Sequence, residues 1–286
     1  MIIRHCVLKP ILIVIMGATG TGKSRLSIDL ATRFYPTVEV INADKIQVYK
    51  GLDITTNKLP LHHRCNVPHH LLAELDTSAE ELTRYEYRQL ASSVVSDIVA
   101  RRKLPVVVGG SNSFIQALVG DQIDPVDREG IRRLRYRCCF LWIDVEMQVL
   151  REHLCRRVDQ MVKAGMINEL AEFYGSIGFT GRAGIGKAIG IAEFKPCFKP
   201  GGTFFGLEEE EGCCERAVEE VKVNTCRLAV KQIRKIQRLR EAGWDLKRVD
   251  ATAAFRAAEE GKTADEAWEM DVVGPSVKLV QRFLGL

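Results

Sequence analysis

The stretch ILIVIMGATGTGKS, Ile11–Ser24, decides the fold. It opens on a β-branched apolar run, ILIVI (11–15), which reads as a buried strand. It passes into Gly17-Ala18-Thr19-Gly20-Thr21-Gly22-Lys23-Ser24, a full match to G-x-x-x-x-G-K-[ST]. Beyond it Leu26, Leu30 and Phe34 recur at i, i+4 and i+8, the spacing of an amphipathic helix. Strand, glycine-rich turn and helix in that order make an anion cradle. The glycines let backbone N–H groups close on a phosphate, and the helix starting near Lys23 aims its positive end at it. Lys23 adds a point charge, and Ser24 a hydroxyl suited to Mg²⁺. The loop binds a di- or triphosphate; it does not say which reaction follows.

Working outward, VEVIN (38–42), PVVVGG (105–110) and CCFLWIDV (138–145) read as further buried strands. Thr77 and Ser78 stand before Glu80 and Glu81 at capping-box spacing, which predicts a helix from there to about Lys103. A helix after the fourth strand should end at Gly165. Apolar strands without polar alternation, separated by helices, mean a parallel sheet covered on both faces. The fold expected is a single α/β domain over 1–286, P-loop NTPase-like, with a small C-terminal helical portion. Ligands in such sheets sit at the carboxyl ends of the strands. The phosphate loop, Asp44 and the turn Gly109-Gly110-Ser111-Asn112 should therefore converge.

The segment KPGGTFFGLEEEEG (199–212) reads as an exposed loop, glycine-rich and then acidic. The longest helix should follow, from about Cys213 to Ala242. Val218, Val221, Ala229, Ile233 and Ile236 give it an apolar side. Arg227, Lys231, Arg234 and Arg238 form a basic stripe, either a solvated face or, where it meets the pocket, a phosphate grip.

The net charge of +4 over 286 residues does not mark a dedicated duplex-binding protein. The nine cysteines are odd in number, include two adjacent pairs and contain no C-x-x-C, so free thiols in a reducing compartment are expected. No apolar run approaches the ~20 residues of a membrane span. MIIRHCVLKP is too short for a signal or transit peptide, which leaves plastid and cytoplasm both open.

Several phosphate-loop classes lack their other signatures here. TTNKLP has the Asn-Lys of a base-reading motif without its Asp, and no D-x-x-G accompanies it. FLWIDV ends on Asp144, a candidate Mg²⁺ ligand or a plain helix cap. Arg151, Arg156 and Arg157 keep a small-molecule kinase lid open as a rival. His62, His63, His69 and His70 come without a cysteine or carboxylate ligand set, so zinc is not expected. Cys138 and Cys139 read as inert core.

The stretch NADKIQVYKGLDITTNK (42–58) fits none of those rivals. With GATGTGKSRLS, NVPHHLL, VVVGGSNSFIQALV, RCCFLWIDV, RRVDQMVKAGMINEL, KAIGIAEF, VKVNTCRLAVKQIRKIQRL and RVDAT, it runs in order over nearly the whole chain. In these pieces the sequence resembles the isopentenyltransferases that prenylate the N6 amine of adenine. The nearer branch looks like the plant adenylate isopentenyltransferases of cytokinin biosynthesis; the more distant branch acts on tRNA. The resemblance implies that the loop holds the diphosphate of dimethylallyl diphosphate, which departs as a leaving group.

Under that resemblance Asp44 takes the proton of the acceptor amine, and Thr19 donates to the bridging oxygen. Lys23, Ser24 with Mg²⁺ and the loop amides hold the diphosphate, and Arg157, Lys187 and Lys231 complete the clamp. Ser111, Asn112, Gln47 and Lys45 position the nucleotide. Only residues 120–137 stand where the tRNA branch inserts a helical domain, which is too short for one. AMP, ADP or ATP is therefore the expected acceptor, with ADP and ATP favoured, for a monomer without tRNA or membrane partners.

The pattern is broken at Gly186, where the family has a basic residue, and at Ala192, where it has Pro. It is broken again at Lys231, where Arg is usual and Lys cannot form the bidentate fork. Ala43 replaces a small hydroxyl residue. These departures keep a weakened or silent nucleotide-binding paralogue as the alternative.

Overall fold

The computed structural model describes residues 9–34, 37–122, 133–177, 184–199, 203, 207–259 and 264–286. The chain runs β1 (Ile11–Gly17), α1 (Lys23–Arg33), β2 (Val38–Asn42), β3 (His69–His70), α2 (Arg84–Ala100), β4 (Leu104–Gly109), α3 (Asn112–Val119) and β5 (Arg137–Asp144). It continues through α4 (Met147–Lys163), α5 (Met166–Ile177), α6 (Ile191–Phe194), α7 (Leu207–Glu241), β6 (Leu246–Asp250), α8 (Thr252–Glu259), α9 (Ala264–Trp268) and α10 (Gly274–Leu284). Among the described residues the strands form one sheet in the order β3-β2-β4-β1-β5-β6. Every neighbouring pair is parallel.

The strand β1 lies between β4 and β5, with Met16 level with Gly109 and Gly17 level with Ile143. Its side chains alternate between two cores. Leu12, Val14 and Met16 face one that includes Tyr87, Phe114 and Trp244; Ile13 and Ile15 face the other, with Leu26, Leu30 and Val272. Two covered faces explain why the strands read as unbroken apolar runs. Because β4 and β5 flank β1, the chain diverges to either side at its carboxyl end. That divergence leaves a crevice there.

Several expectations are corrected. The capping box lies at Thr83 and Glu86, not at 77–81, and α2 starts at Arg84. Thr77 and Ser78 belong instead to a turn where Asp76 Oδ1 accepts from the Ser78 N–H and hydroxyl. The acidic half of 199–212 is helix, since α7 begins at Leu207; residues 200–202 and 204–206 lie outside the described set. Cys197 and Cys213 form a disulfide, with Cα atoms 5.6 Å apart, where free thiols were expected. Within the shortened connection 120–137, residues 123–132 lie outside the described set, while Gly120 bridges Leu134.

Of the four histidines within 62–70, His62 and His63 lie in a 3₁₀ turn, Leu61–His63, and the other two join the sheet. His69 and His70 form β3, where His70 Nε2 lies 2.7 Å from Glu39 Oε2. Glu39 is buried and accepts from Arg101 and Lys103 as well. No described helix is long and apolar enough to cross a membrane.

Candidate active site

The loop between β1 and α1 is shaped by its own backbone. Gly22 has φ 86°, the left-handed region open to glycine, and a Cβ there would come within 2.5 Å of the Trp268 ring. The Thr21 hydroxyl donates to Ala18 O at 3.0 Å, and Lys23 Nζ donates to the same carbonyl at 2.5 Å. Thr19 is held at two points. Its N–H donates to Gln232 Oε1 at 2.7 Å, and its hydroxyl accepts from Arg157 at 3.0 Å.

A cavity of about 260 Å³ opens over this loop, lined by Thr19, Gly20, Gly22, Lys23, Ser24 and Asp44, with Gln47, Gly110, Arg157 and Gln232 around them. The wall opposite the loop comes from the turn after β2. There Asp44 Oδ1 accepts from the N–H groups of Ile46 and Gln47 at 2.9 and 3.2 Å. One carboxylate oxygen is thus fixed by the backbone on a residue that lines the crevice. Gln47 is locked by donating to Thr56 O and Asn57 O.

The cations of the cavity are under strain from burial. Burial pulls the Lys23 ammonium down to about 8; the charge of Asp44 opposes this and that of Arg157 adds to it. Burial likewise lowers the Arg157 guanidinium to about 10, against the pull of Asp44. Arg157 Nε is buried with no hydrogen-bond partner among the described residues. Two desolvated cations, one incompletely paired, favour an anion between them.

A second cavity of about 350 Å³ shares Thr19, Asp44, Gln47 and Arg157 with the first. Its walls are more apolar, with Ile46, Met161, Ala188, Ile189, Val221 and Leu228. Asp44 and Thr19 thus stand where an anion site meets a pocket large enough for a flat aromatic group.

Other predicted residues fall elsewhere. Asp144 bonds Arg248 Nε at 2.7 Å across the β5–β6 pair and does not line the loop cavity. A strand-end carboxylate already neutralised by an arginine is a poor Mg²⁺ ligand. Lys231 lies on the exposed side of α7 with Arg227, Arg234 and Arg238, so the basic stripe is a solvated face. Lys187 and Lys45 line the second cavity, where both bond Glu81; the two hydrogen bonds hold that carboxyl down at about 2. Ser111 precedes α3 and Asn112 is buried, donating to Gln232 O at 3.2 Å; neither lines the two cavities. Gly186 lies in a single 3₁₀ turn, Gly184–Lys187, and Ala192 is exposed on α6.

Gln232 is the residue that sequence reasoning missed. It follows Lys231 in a stretch whose basic residues drew the attention, and its partner Thr19 is 213 positions away.

A family model for IPP transferases matches residues 47–134 and 120–238. The chain belongs to the IPP transferase family. An adenylate isopentenyltransferase of Humulus lupulus is 52% identical, over 94% of this chain and 89% of that protein. Adenylate isopentenyltransferase 8, chloroplastic, of Arabidopsis thaliana is 48% identical over 95% of this chain and 85% of its own length. Among solved structures, a eukaryotic dimethylallyltransferase acting on tRNA superposes with a TM-score of 0.78 at 25% identity, covering 96% of this chain and 80% of that one. The IPP transferase match runs through Gln47, Arg157, Lys187, Lys231 and Gln232, and the curated relatives extend the likeness over nearly the full chain.

Proposed function

We propose that this isopentenyltransferase moves the dimethylallyl group of dimethylallyl diphosphate to N6 of a free adenine nucleotide, ADP or ATP before AMP. The observation that carries this reading is Asp44. One of its oxygens is pinned by two backbone amides, and the residue lines both the phosphate-loop cavity and the larger pocket.

The reaction breaks the C1–O bond of the donor and forms a C1–N6 bond. The electron pair of the broken bond leaves on diphosphate, and the acceptor amine loses a proton. The lone pair of that amine is delocalised into the purine, so removing its proton as the bond forms speeds attack. The Asp44 carboxylate takes this proton. The donor carbon is allylic and spreads positive charge, so the main task is to stabilise departing diphosphate. Arg157 and Lys23 lie on the loop side with the desolvation that makes them strong anion partners, and the Thr19 hydroxyl reaches the bridging oxygen. Ser24 lines the same cavity, and its hydroxyl with the donor's own phosphate oxygens suits Mg²⁺, a hard cation that keeps few protein ligands. When bound, Mg²⁺ neutralises charge on the diphosphate.

The test offers purified protein dimethylallyl diphosphate and Mg²⁺ with AMP, ADP, ATP and tRNA in separate reactions, read by mass spectrometry. Prenylated ADP or ATP, lost in Asp44→Ala, is expected. Product on tRNA alone would reassign the acceptor, and full activity in Asp44→Ala would remove the proton-taking role from this residue.

A further inference from the structure

Gln232 projects from α7 and uses both ends of its side-chain amide. Oε1 accepts from the Thr19 N–H at 2.7 Å, and Nε2 donates to Gly110 O at 3.1 Å. Its own backbone carbonyl accepts from Asn112 Nδ2 at 3.2 Å. The residue is 8% exposed, so these bonds form away from competing water. A Cβ at Gly110 would stand 2.4 Å from Gln232 Nε2, so a side chain there would have to displace the amide. The Gly-Gly-Ser-Asn turn after β4 thus grips Gln232, and Gln232 grips the phosphate loop.

A planar amide carries a donor and an acceptor on one head. Glutamate lacks the donor, and leucine lacks both. The Thr19 N–H is already committed to a protein acceptor, so the loop's shape is set before any ligand arrives. The Thr19 hydroxyl then stays on Arg157.

We propose that Gln232 is a positioning residue of the transfer site, holding Thr19 so that its hydroxyl and the Arg157 guanidinium meet the departing diphosphate. This assignment rests on the reaction proposed above. Gly110 and Asn112 act through it, and the Ser111–Asn112 turn thereby serves the donor rather than the nucleotide.

The experiment compares Gln232→Leu, Gln232→Glu, Gly110→Ala and the double variant Gly110→Ala/Gln232→Leu with the unaltered protein. Three quantities are read: kcat with the KM of each substrate, the thermal midpoint, and affinity for inorganic diphosphate with Mg²⁺ by calorimetry. Misplacing a catalytic group by an ångström costs on the order of 100-fold in rate, so Gln232→Leu should lower kcat by roughly 10–100-fold. The nucleotide KM should stay within about twofold, and diphosphate affinity should fall. Gln232→Glu should bind diphosphate less tightly still, because it sets a negative charge beside the loop. Gly110→Ala should show the same split more mildly, and the double variant should be no worse than Gln232→Leu alone, since both act at one point.

Variants that bind diphosphate and turn over like the unaltered protein would overturn the proposal. So would losses that add fully in the double variant, or a loss of thermal midpoint with kcat and diphosphate affinity kept. If Gln232→Leu does not fold, Gly110→Ala and Gln232→Glu carry the same comparison. If the unaltered protein prenylates nothing, the reaction is wrong, and the diphosphate titration alone decides whether Gln232 shapes the loop.

Discussion

Lys23 shows how a single side chain can be tuned by its surroundings. Burial brings it down to about 8, with Asp44 opposing and Arg157 assisting. In the free protein the ammonium is therefore charged below about pH 8 and neutral above it. Charge is what the diphosphate needs, so kcat/KM for the donor should fall along a limb near pH 8. A bound diphosphate favours the charged form and should move the limb in kcat to higher pH. For folding the sign is opposite. The unfolded lysine holds its proton to about 10.5, so between these values the unfolded chain binds more protons and this residue's contribution to stability rises with pH. A donor pH profile flat through pH 9 would remove Lys23 from diphosphate binding. The residues of the loop were legible because glycine spacing and a terminal Lys-Ser are local. Gln232 was not, because nothing near position 232 marks its partner at position 19. Asp144 looked like a ligand from its place at a strand end; only the structure pairs it with Arg248 from the next strand over.

Between elements, Glu39 ties four segments at the outer side of the sheet. It sits on β2, and it accepts from Arg101 at the end of α2, from Lys103 before β4 and from His70 on β3. The bond from Arg101, then those from Lys103 and His70, hold its carboxyl well below the usual carboxylate range despite burial. A carboxyl depressed in the folded state contributes stability above its unfolded value near 4.5, and loses it as pH falls below that. Glu39→Gln should thus cost about 3 kcal/mol at neutral pH, the size expected when a buried ionic group loses its partner. The gap to the unaltered protein should narrow as pH drops toward 3. Urea unfolding at several pH values measures it, and a gap independent of pH would show that packing, not charge, sets the cost. The main strands were readable from apolar runs, but β3 and β6 were not. β3 is two residues long and polar, and β6, LKRVD, buries only Leu246 and Val249 against its neighbour.

At the scale of the whole chain, the second cavity is where the proposed acceptor can be tested. Its rim holds Glu81 between Lys45 and Lys187, so two cations stand ready to exchange one carboxylate for another anion. A free nucleotide would bring such an anion on its phosphates. On the proposed reading, with only residues 120–137 where the tRNA branch inserts a helical domain, an anticodon-loop RNA added at micromolar concentration should not slow prenylation of ATP; strong competition would place an RNA surface over this rim. The order of the family's motifs conveyed the architecture and the crevice. It did not convey how the C-terminal elements serve them. The helices after β6 were read as an appendage, yet Trp268 from α9 lies against Gly22 at the floor of the loop and donates to Asp29 of α1 at 2.8 Å.

That contact has an optical consequence. The chain has three tryptophans, and Trp142 and Trp244 belong to the core on the opposite face of the sheet from Trp268. The indole of Trp268 is stacked under the Arg25 guanidinium, 4.7 Å from its ring centre, and touches the glycine about which the loop turns. Its emission should therefore change when an anion settles on the loop, and a fluorescence titration with inorganic diphosphate, needing neither label nor turnover, would read it.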